Sequence, residues 1–187
     1  EPDGALWFGP AQRPCFGWLH RAHAATAPSI AIVICNPFGH ELQSAHRSIR
    51  HLAQRLAADG VPALRFDYDG TGDSAGNDLD DNRVRAWVDS IHHACELIRS
   101  MTSATRIVLI GIRLGALLAT VAGGERDDIT GIATLAPFVR GREFVRENAA
   151  LQAAHHQATE RAPAKSPTQA PSEPQSKGPS EAPSEAP

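Results

Sequence analysis

Two short, almost wholly apolar runs constrain the fold more than any other feature of the sequence. They are Ser29–Cys35 (SIAIVIC) and Arg106–Ile110 (RIVLI). A strand with one face in water alternates apolar and polar residues, so these runs are typical of strands covered on both faces. A helical pattern follows each run. This order predicts an α/β fold of three layers, with a mostly parallel sheet between the helices.

The rest of the chain continues the alternation. Pro10 and Pro14 lie between two short strands and predict a hairpin. Apolar residues at helical spacing predict the helices, and Gly60 follows the first of them as a C-terminal stop. The predicted strands are Ala5–Gly9, Cys15–His20, Ser29–Cys35, Pro62–Asp67, Arg106–Ile110 and Ile129–Leu135, and the predicted helices are Glu41–Asp59, Val84–Ile98, Arg113–Ala122 and Gly141–Leu151.

The composition changes abruptly near Gln152 and predicts two parts. Residues 1–151 form a partial α/β domain. Residues 152–187 consist mainly of Ala, Pro, Ser, Glu and Gln and contain the near-repeat PSEAPSEAP. Such a segment buries too little apolar surface to offset its ordering entropy, so we expect a disordered tail. Ending the sheet after six strands leaves an apolar edge, which a protein partner or a second copy of the chain could cover.

Composition argues against several classes of function. The formal net charge of −3 gives no indication of a nucleic-acid partner, and no run of 18 apolar residues could span a bilayer. Cys15, Cys35 and Cys95 are far apart and odd in number. That usage argues against a disulfide framework and favours a reducing compartment, for which we expect the cytoplasm.

No metal or cofactor is expected from the motifs. His40, His46 and His51 lack the spacing and the acid of a zinc site. The loop DGTGDSAG contains Gly70-x-Gly72, but its third glycine is one position away from a dinucleotide fingerprint and no helix starts inside it. Its aspartates are therefore interpreted as turn residues.

The segment RIVLI-GIRLGALLA is the most informative for function. A buried strand leads through Gly111-Ile112-Arg113-Leu114-Gly115 directly into a helix. This is the layout of the nucleophile elbow, G-x-S-x-G, with arginine at its centre. A guanidinium stays protonated at any workable pH and cannot attack an acyl carbon, so Arg113 is not a nucleophile.

Together, five stretches resemble an α/β-hydrolase of the serine aminopeptidase-like, S33 type, and within it the exosortase-associated group. They are FGPAQRPCFGWLHR, CNPFGHE, LRFDYDGTGDSAG, GIRLGA and LAPFVRG. The resemblance covers roughly residues 5–151 and implies the N-terminal half of that fold. It also implies oxyanion-hole N–H groups at Leu114 and Phe38, although Pro37 stands where the family commonly has glycine.

The resemblance carries over no catalytic residue. The family's acid and histidine follow later strands, which the sequence does not contain, and Pro137 stands where the acid sometimes lies. Ser44 and Ser74 have no evident base, and His155 and His156 fall in the predicted tail.

Three interpretations stay open. The chain is an inactive family member that binds a ligand or partner, a piece of a longer hydrolase, or a working hydrolase with another nucleophile. Arg113 itself either binds an anionic small molecule at the helix N-terminus or pairs with a local carboxylate such as Asp67, Asp69 or Glu41.

Overall fold

A computed structural model describes residues 3–22 and 29–161 of the chain, with side chains described as far as Ala154. It contains six strands and four helices within those ranges. The strands are β1 Gly4–Phe8, β2 Cys15–His20, β3 Ile30–Cys35, β4 Ala63–Phe66, β5 Arg106–Ile112 and β6 Ile129–Leu135, and the helices are α1 Gly39–Ala58, α2 Arg83–Met101, α3 Leu114–Gly124 and α4 Gly141–Arg161.

The six strands form one sheet in the order β1-β2-β4-β3-β5-β6. β1 and β2 form the predicted antiparallel hairpin, and β2 also pairs with β4 in an antiparallel register. The other pairings, β4 with β3, β3 with β5 and β5 with β6, are parallel. The predicted α/β class and mostly parallel sheet are therefore confirmed.

Helices cover both faces of the sheet, and β3 shows why its sequence is apolar throughout. Ala31, Val33 and Cys35 join a core cluster with residues of α2 and α3. Ile32 and Ile34 point the other way and pack against α1 through Ile49 and Ala53. Because successive residues of a strand face opposite sides, a strand between two helical layers must be apolar at every position.

β6 is the last strand of the sheet and pairs only with β5 among the described residues. Most of its residues are exposed, including Ile132 and Leu135. The predicted open edge is therefore present in this part of the chain, whereas a partner that covers it stays a prediction.

Several predicted boundaries differ from the structure by one to three residues, and the end of α4 differs by ten. β5 continues past Ile110, because Gly111 and Ile112 stay in register with Thr134 and Leu135 of β6. α4 continues past Leu151 to Arg161, so the first residues of the predicted disordered tail are helical. Their Ala, Gln, Glu and Arg content is compatible with a helix. The rest of the predicted tail, from residue 162, lies outside the described residues.

The chain divides into two units, residues 1–148 and residues 149–187. The sheet and the first three helices belong to the former. Across residues 3–22 and 29–161, no helix has the length and apolar character needed to cross a membrane.

All three cysteine thiols are expected to be unreactive in the native state. Cys15, Cys35 and Cys95 are free and at most 2% exposed. Burial raises the pKa of each thiol, for Cys95 to about 12, and only the thiolate is the nucleophile. A disulfide-exchange reagent should therefore label none of them within minutes in buffer and all three in denaturant. Rapid labelling of one thiol in the native protein would contradict this packing.

Candidate functional site at the turn between β5 and α3

The turn at Arg113 has the backbone geometry of a strained elbow. β5 ends at Ile112 and α3 begins at Leu114, so Arg113 alone makes the turn. Its φ is 55° and its ψ −118°, a region that residues other than glycine rarely adopt and that costs about 1–3 kcal/mol. The Arg113 N–H donates to the Leu135 carbonyl at 3.0 Å, and the Arg113 carbonyl accepts from the Ala116 N–H at 3.2 Å. These bonds tie the turn to β6 and to the helix.

The two glycines of the motif are required by close backbone approach. A Cβ on Gly111 would lie 2.4 Å from the Ala116 Cα, inside the first turn of α3. A Cβ on Gly115 would lie 2.2 Å from the Cys35 carbonyl oxygen at the end of β3. The first glycine therefore lets the chain fold back on itself, and the second lets α3 pack against the neighbouring strand.

Acidic and aromatic side chains surround the Arg113 guanidinium. Its Nε donates to Glu41 Oε1 at 2.5 Å, and its Nη2 donates to both carboxylate oxygens of Glu147 at 2.9 Å. Its Cζ lies 4.0 Å from the centre of the Phe138 ring, close enough for a cation–π contact. We call Glu41, Glu147, Phe138 and Arg113 the arginine clamp.

The clamp holds more negative than positive charge. The hydrogen bond from Arg113 to Glu41 is the main cause of a raised Arg113 pKa. Two carboxylates face one guanidinium, and Glu41 Oε2 is buried with no hydrogen-bond partner. Of the two roles predicted for Arg113, pairing with a carboxylate is the one that these contacts support, and Glu41 is one of the three carboxylates named for it. No described contact supports the anion site.

The predicted oxyanion positions lie at the same edge of the sheet. Leu114 is the first residue of α3, and its N–H has no acceptor within the helix. Phe38 is the N-cap of α1, with an extended backbone. β3 and β5, which lead to these residues, are neighbours with Cys35 opposite Gly111. The Phe38 ring stacks on Tyr68 at 4.7 Å and contacts Trp87 at 4.5 Å, and so packs against the core.

The described residues contain no hydrogen bond between a histidine and a serine. Ser74 Oγ donates to the Asp67 carbonyl and accepts from the Phe16 N–H, so both of its hydrogen bonds are to backbone groups and neither is to a catalytic base. The side chains of His155 and His156 are not described. Within the same ranges no three His, Cys, Asp or Glu side chains cluster as metal ligands would.

The loop after β4 is held by charge pairs that the sequence did not predict. Asp69 forms ion pairs with Arg13 of the β1–β2 turn and with Arg83 at the start of α2. Asp67 accepts the Asp73 N–H at 3.1 Å, across the turn. These aspartates therefore shape the loop, in line with their interpretation as turn residues.

Comparison with known proteins identifies a matching family model but no matching curated protein. The family model described as serine aminopeptidase, S33, matches residues 27–183. No curated protein matches the chain significantly.

Solved structures with the same fold cover most of this chain. A serine hydrolase homologue from Coxiella burnetii is 20% identical, with a TM-score of 0.61 over 75% of this chain and 67% of its own. A lidless α/β serine hydrolase from Xanthomonas campestris is 20% identical, with a TM-score of 0.60; the match covers 73% of this chain and 62% of that hydrolase. Est1E from Butyrivibrio proteoclasticus, solved with ferulic acid bound, is 25% identical, with a TM-score of 0.59; the match covers 71% of this chain and 52% of Est1E.

This chain thus spans between about half and two thirds of the length of these relatives. The match to the family model extends over most of the sequence, and the sheet order, the elbow and the two close-packed glycines agree with it. The chain belongs to the serine aminopeptidase, S33, family of α/β-hydrolases.

Proposed function

We propose that this chain is a non-hydrolytic member of its family, which acts by binding rather than by cleaving an ester or amide. The observation that carries the proposal is the arginine clamp. The residue at the tip of the elbow is a guanidinium with no nucleophilic lone pair, and two carboxylates and an aromatic ring hold it in place.

The charge around the elbow also opposes acyl transfer. An oxyanion hole stabilises negative charge that develops next to the nucleophile. Glu41 and Glu147 place two carboxylates around the tip of this elbow, where the developing charge would be repelled. The retained fold then supplies a rigid scaffold, and the clamp links the first turn of α1 to α4.

Covalent labelling tests the proposal. The chain should form no adduct with a fluorophosphonate probe, while an active serine hydrolase treated in parallel becomes fully labelled. Loss of the nucleophile in a serine protease lowers turnover by about 10⁶-fold, so residual labelling should be undetectable by intact mass. A stoichiometric adduct that disappears in Ser74→Ala or Ser44→Ala would overturn the proposal and identify the nucleophile.

A second candidate is that the chain is a piece of a longer hydrolase, which the partial coverage of its relatives favours. Intact mass spectrometry of the protein from its native source distinguishes the two. A mass near 20.0 kDa favours the binding protein. A much larger mass places the search for the acid and the histidine in the additional sequence.

Two finer assignments belong to the same proposal. Membership of the exosortase-associated group rests on the motifs quoted above. A reducing compartment such as the cytoplasm is supported by the three free, buried thiols.

A further inference from the structure

A groove of about 980 Å³ lies between α1 and the β2–β4 part of the sheet. Neither Arg113 nor the other members of the arginine clamp line it. Trp18 of β2 lies directly opposite Arg65 of β4, and α1 contributes Leu42, His46 and Arg50 to the other wall. The groove is therefore separate from the elbow.

One end of the groove carries two arginines without carboxylate partners. Arg65 is partly buried, and its Nε donates to Nε2 of His20 at 3.0 Å. Neither Arg65 nor Arg50 forms an ion pair within the described part of the chain. Burial and, to a smaller extent, the charge of Arg50 lower the pKa of Arg65. A charge removed from water normally has a partner, so this end is suited to an anionic group.

His20 does not supply that negative charge. Its Nδ1 lies 3.2 Å from Asp3 Oδ2, so its Nε2 is free to accept the Arg65 N–H as a neutral ring. Burial lowers the pKa of His20, which favours the neutral form. Asp3 also lines the groove, but its other oxygen accepts the Arg21 N–H at 2.7 Å. Its carboxylate is therefore engaged at the wall.

The other end is acidic. Asp67 follows β4 immediately, and Asp73 lies across the turn from it. Burial is the largest cause of a raised Asp67 pKa, and the Asp73 charge adds to it. The hydrogen bond from the Asp73 N–H and the charges of His46 and Arg65 act in the opposite direction without cancelling it. Neither carboxylate forms an ion pair among residues 3–22 and 29–161. A cationic group bound here would therefore relieve the repulsion.

The spacing of the two ends sets the size of the ligand. Arg65 lies in β4, and Asp67 is the first residue after that strand, where its N–H still donates to the Phe16 carbonyl of β2. Both residues line the groove, and an extended backbone between them separates their Cα atoms by about 6.6 Å. Leu42 and Ile49 of α1 also line the groove and make part of its wall apolar. The groove thus offers a positive end, an apolar middle and a negative end over roughly the length of two extended residues.

We propose that this groove binds a small zwitterion, with its anionic group at Arg50 and Arg65 and its cationic group at Asp67 and Asp73. The ligand is a dipeptide-like molecule, or an amino acid whose amine lies as far from its carboxylate as the two termini of a dipeptide. The site is independent of the elbow, so its test and the labelling test can fail separately.

Calorimetric titration of the intact chain with 5-aminopentanoate tests the proposal. The amine and carboxylate of this probe are separated by as many bonds as the termini of a dipeptide. Pentanoate and pentylamine each keep one charge, and glycine keeps both at a shorter spacing. We expect 5-aminopentanoate to bind at least about 10-fold more tightly than any of the three.

Variants locate the two ends. Arg50→Gln and Asp73→Asn change exposed side chains and should each weaken 5-aminopentanoate binding several-fold while the thermal midpoint stays unchanged. Arg55→Gln on the same helix, whose side chain is 80% exposed and which does not line the groove, is the matched control and should bind like the wild type. Pentanoate binding equal to that of the zwitterion, no detectable binding of any probe, or equal losses in Arg50→Gln and Arg55→Gln would each overturn the proposal.

Discussion

Replacement of Gly115 by alanine is expected to lower the free energy of unfolding by about 3 kcal/mol or more. A Cβ at this position would lie 2.2 Å from the Cys35 carbonyl oxygen and 2.4 Å from that of Asn36. Both atoms belong to the backbone at the end of a central strand, so no flexible side chain can move away. Overpacking of a core typically costs 1–3 kcal/mol, and a contact with fixed backbone lies at the upper end of that range.

Gly124→Ala in the same helix is the matched control. No atom lies within 4 Å of a Cβ at Gly124. Alanine is favoured over glycine in helices by about 1 kcal/mol, so this variant should be as stable as the wild type or slightly more stable. Urea denaturation followed by circular dichroism gives both values. A Gly115→Ala variant within about 0.5 kcal/mol of wild type would show that α3 does not pack against β3 this closely.

Asp69→Asn is expected to destabilise the domain by about 2–3 kcal/mol. The Asp69 carboxylate is only 8% exposed and accepts hydrogen bonds from two guanidinium groups, those of Arg13 and Arg83. The asparagine keeps the shape but leaves a largely buried Arg83, 13% exposed, without its counter-charge. Asp80→Asn removes a second carboxylate from the same Arg13 and is the control, because Asp80 is 38% exposed and should matter less. Equal losses in the two variants would contradict a special role for Asp69.

The same aspartate should contribute to acid sensitivity. Its hydrogen bond from Arg13 is the main cause of a lowered Asp69 pKa in the folded state. A depressed folded pKa means that the stabilisation is fully present above the ordinary aspartate pKa of about 3.9 and is lost as the pH falls through the folded value. Unfolding free energies measured between pH 2 and pH 5 should therefore decline less steeply with falling pH in Asp69→Asn than in the wild type. An unchanged slope would rule out this contribution.

Local sequence patterns predicted the parts of the fold that depend on burial alone. β3 is apolar at every position because helices cover both its faces, and that requirement is visible in six consecutive residues, IAIVIC. The elbow was also predictable, because Gly111 and Gly115 are needed wherever a strand turns directly into a helix that packs this closely. The extra residues of β5 were not, because glycine is rare within strands and pairing with β6 decides where the strand ends.

The side-chain contacts around Arg113 and Asp69 join residues that are far apart in the sequence, so no local sequence pattern predicts them. Arg113 and Glu147 are 34 residues apart, and Arg13 and Asp69 are 56 apart. A sequence contains many arginines and carboxylates, and only the fold selects which of them meet. Glu41 is one of the three carboxylates predicted for Arg113. Glu147 belongs to a segment with no recognisable motif, and the stretch LAPFVRG, which contains Phe138, gives no indication that this ring meets Arg113. The predicted length of α4 failed for a related reason, since helix-compatible composition and disorder-prone composition overlap.

The strained turn at Arg113 has a consequence for how this protein can change. Its backbone conformation depends on two glycines and on hydrogen bonds to Leu135 and Ala116, and none of these involves the side chain at the tip. The backbone conformation of the turn is therefore independent of which side chain residue 113 carries. Serine, arginine or another residue can be exchanged there by a single substitution without a new fold, so reactivity at this position is separable in evolution from the architecture that presents it.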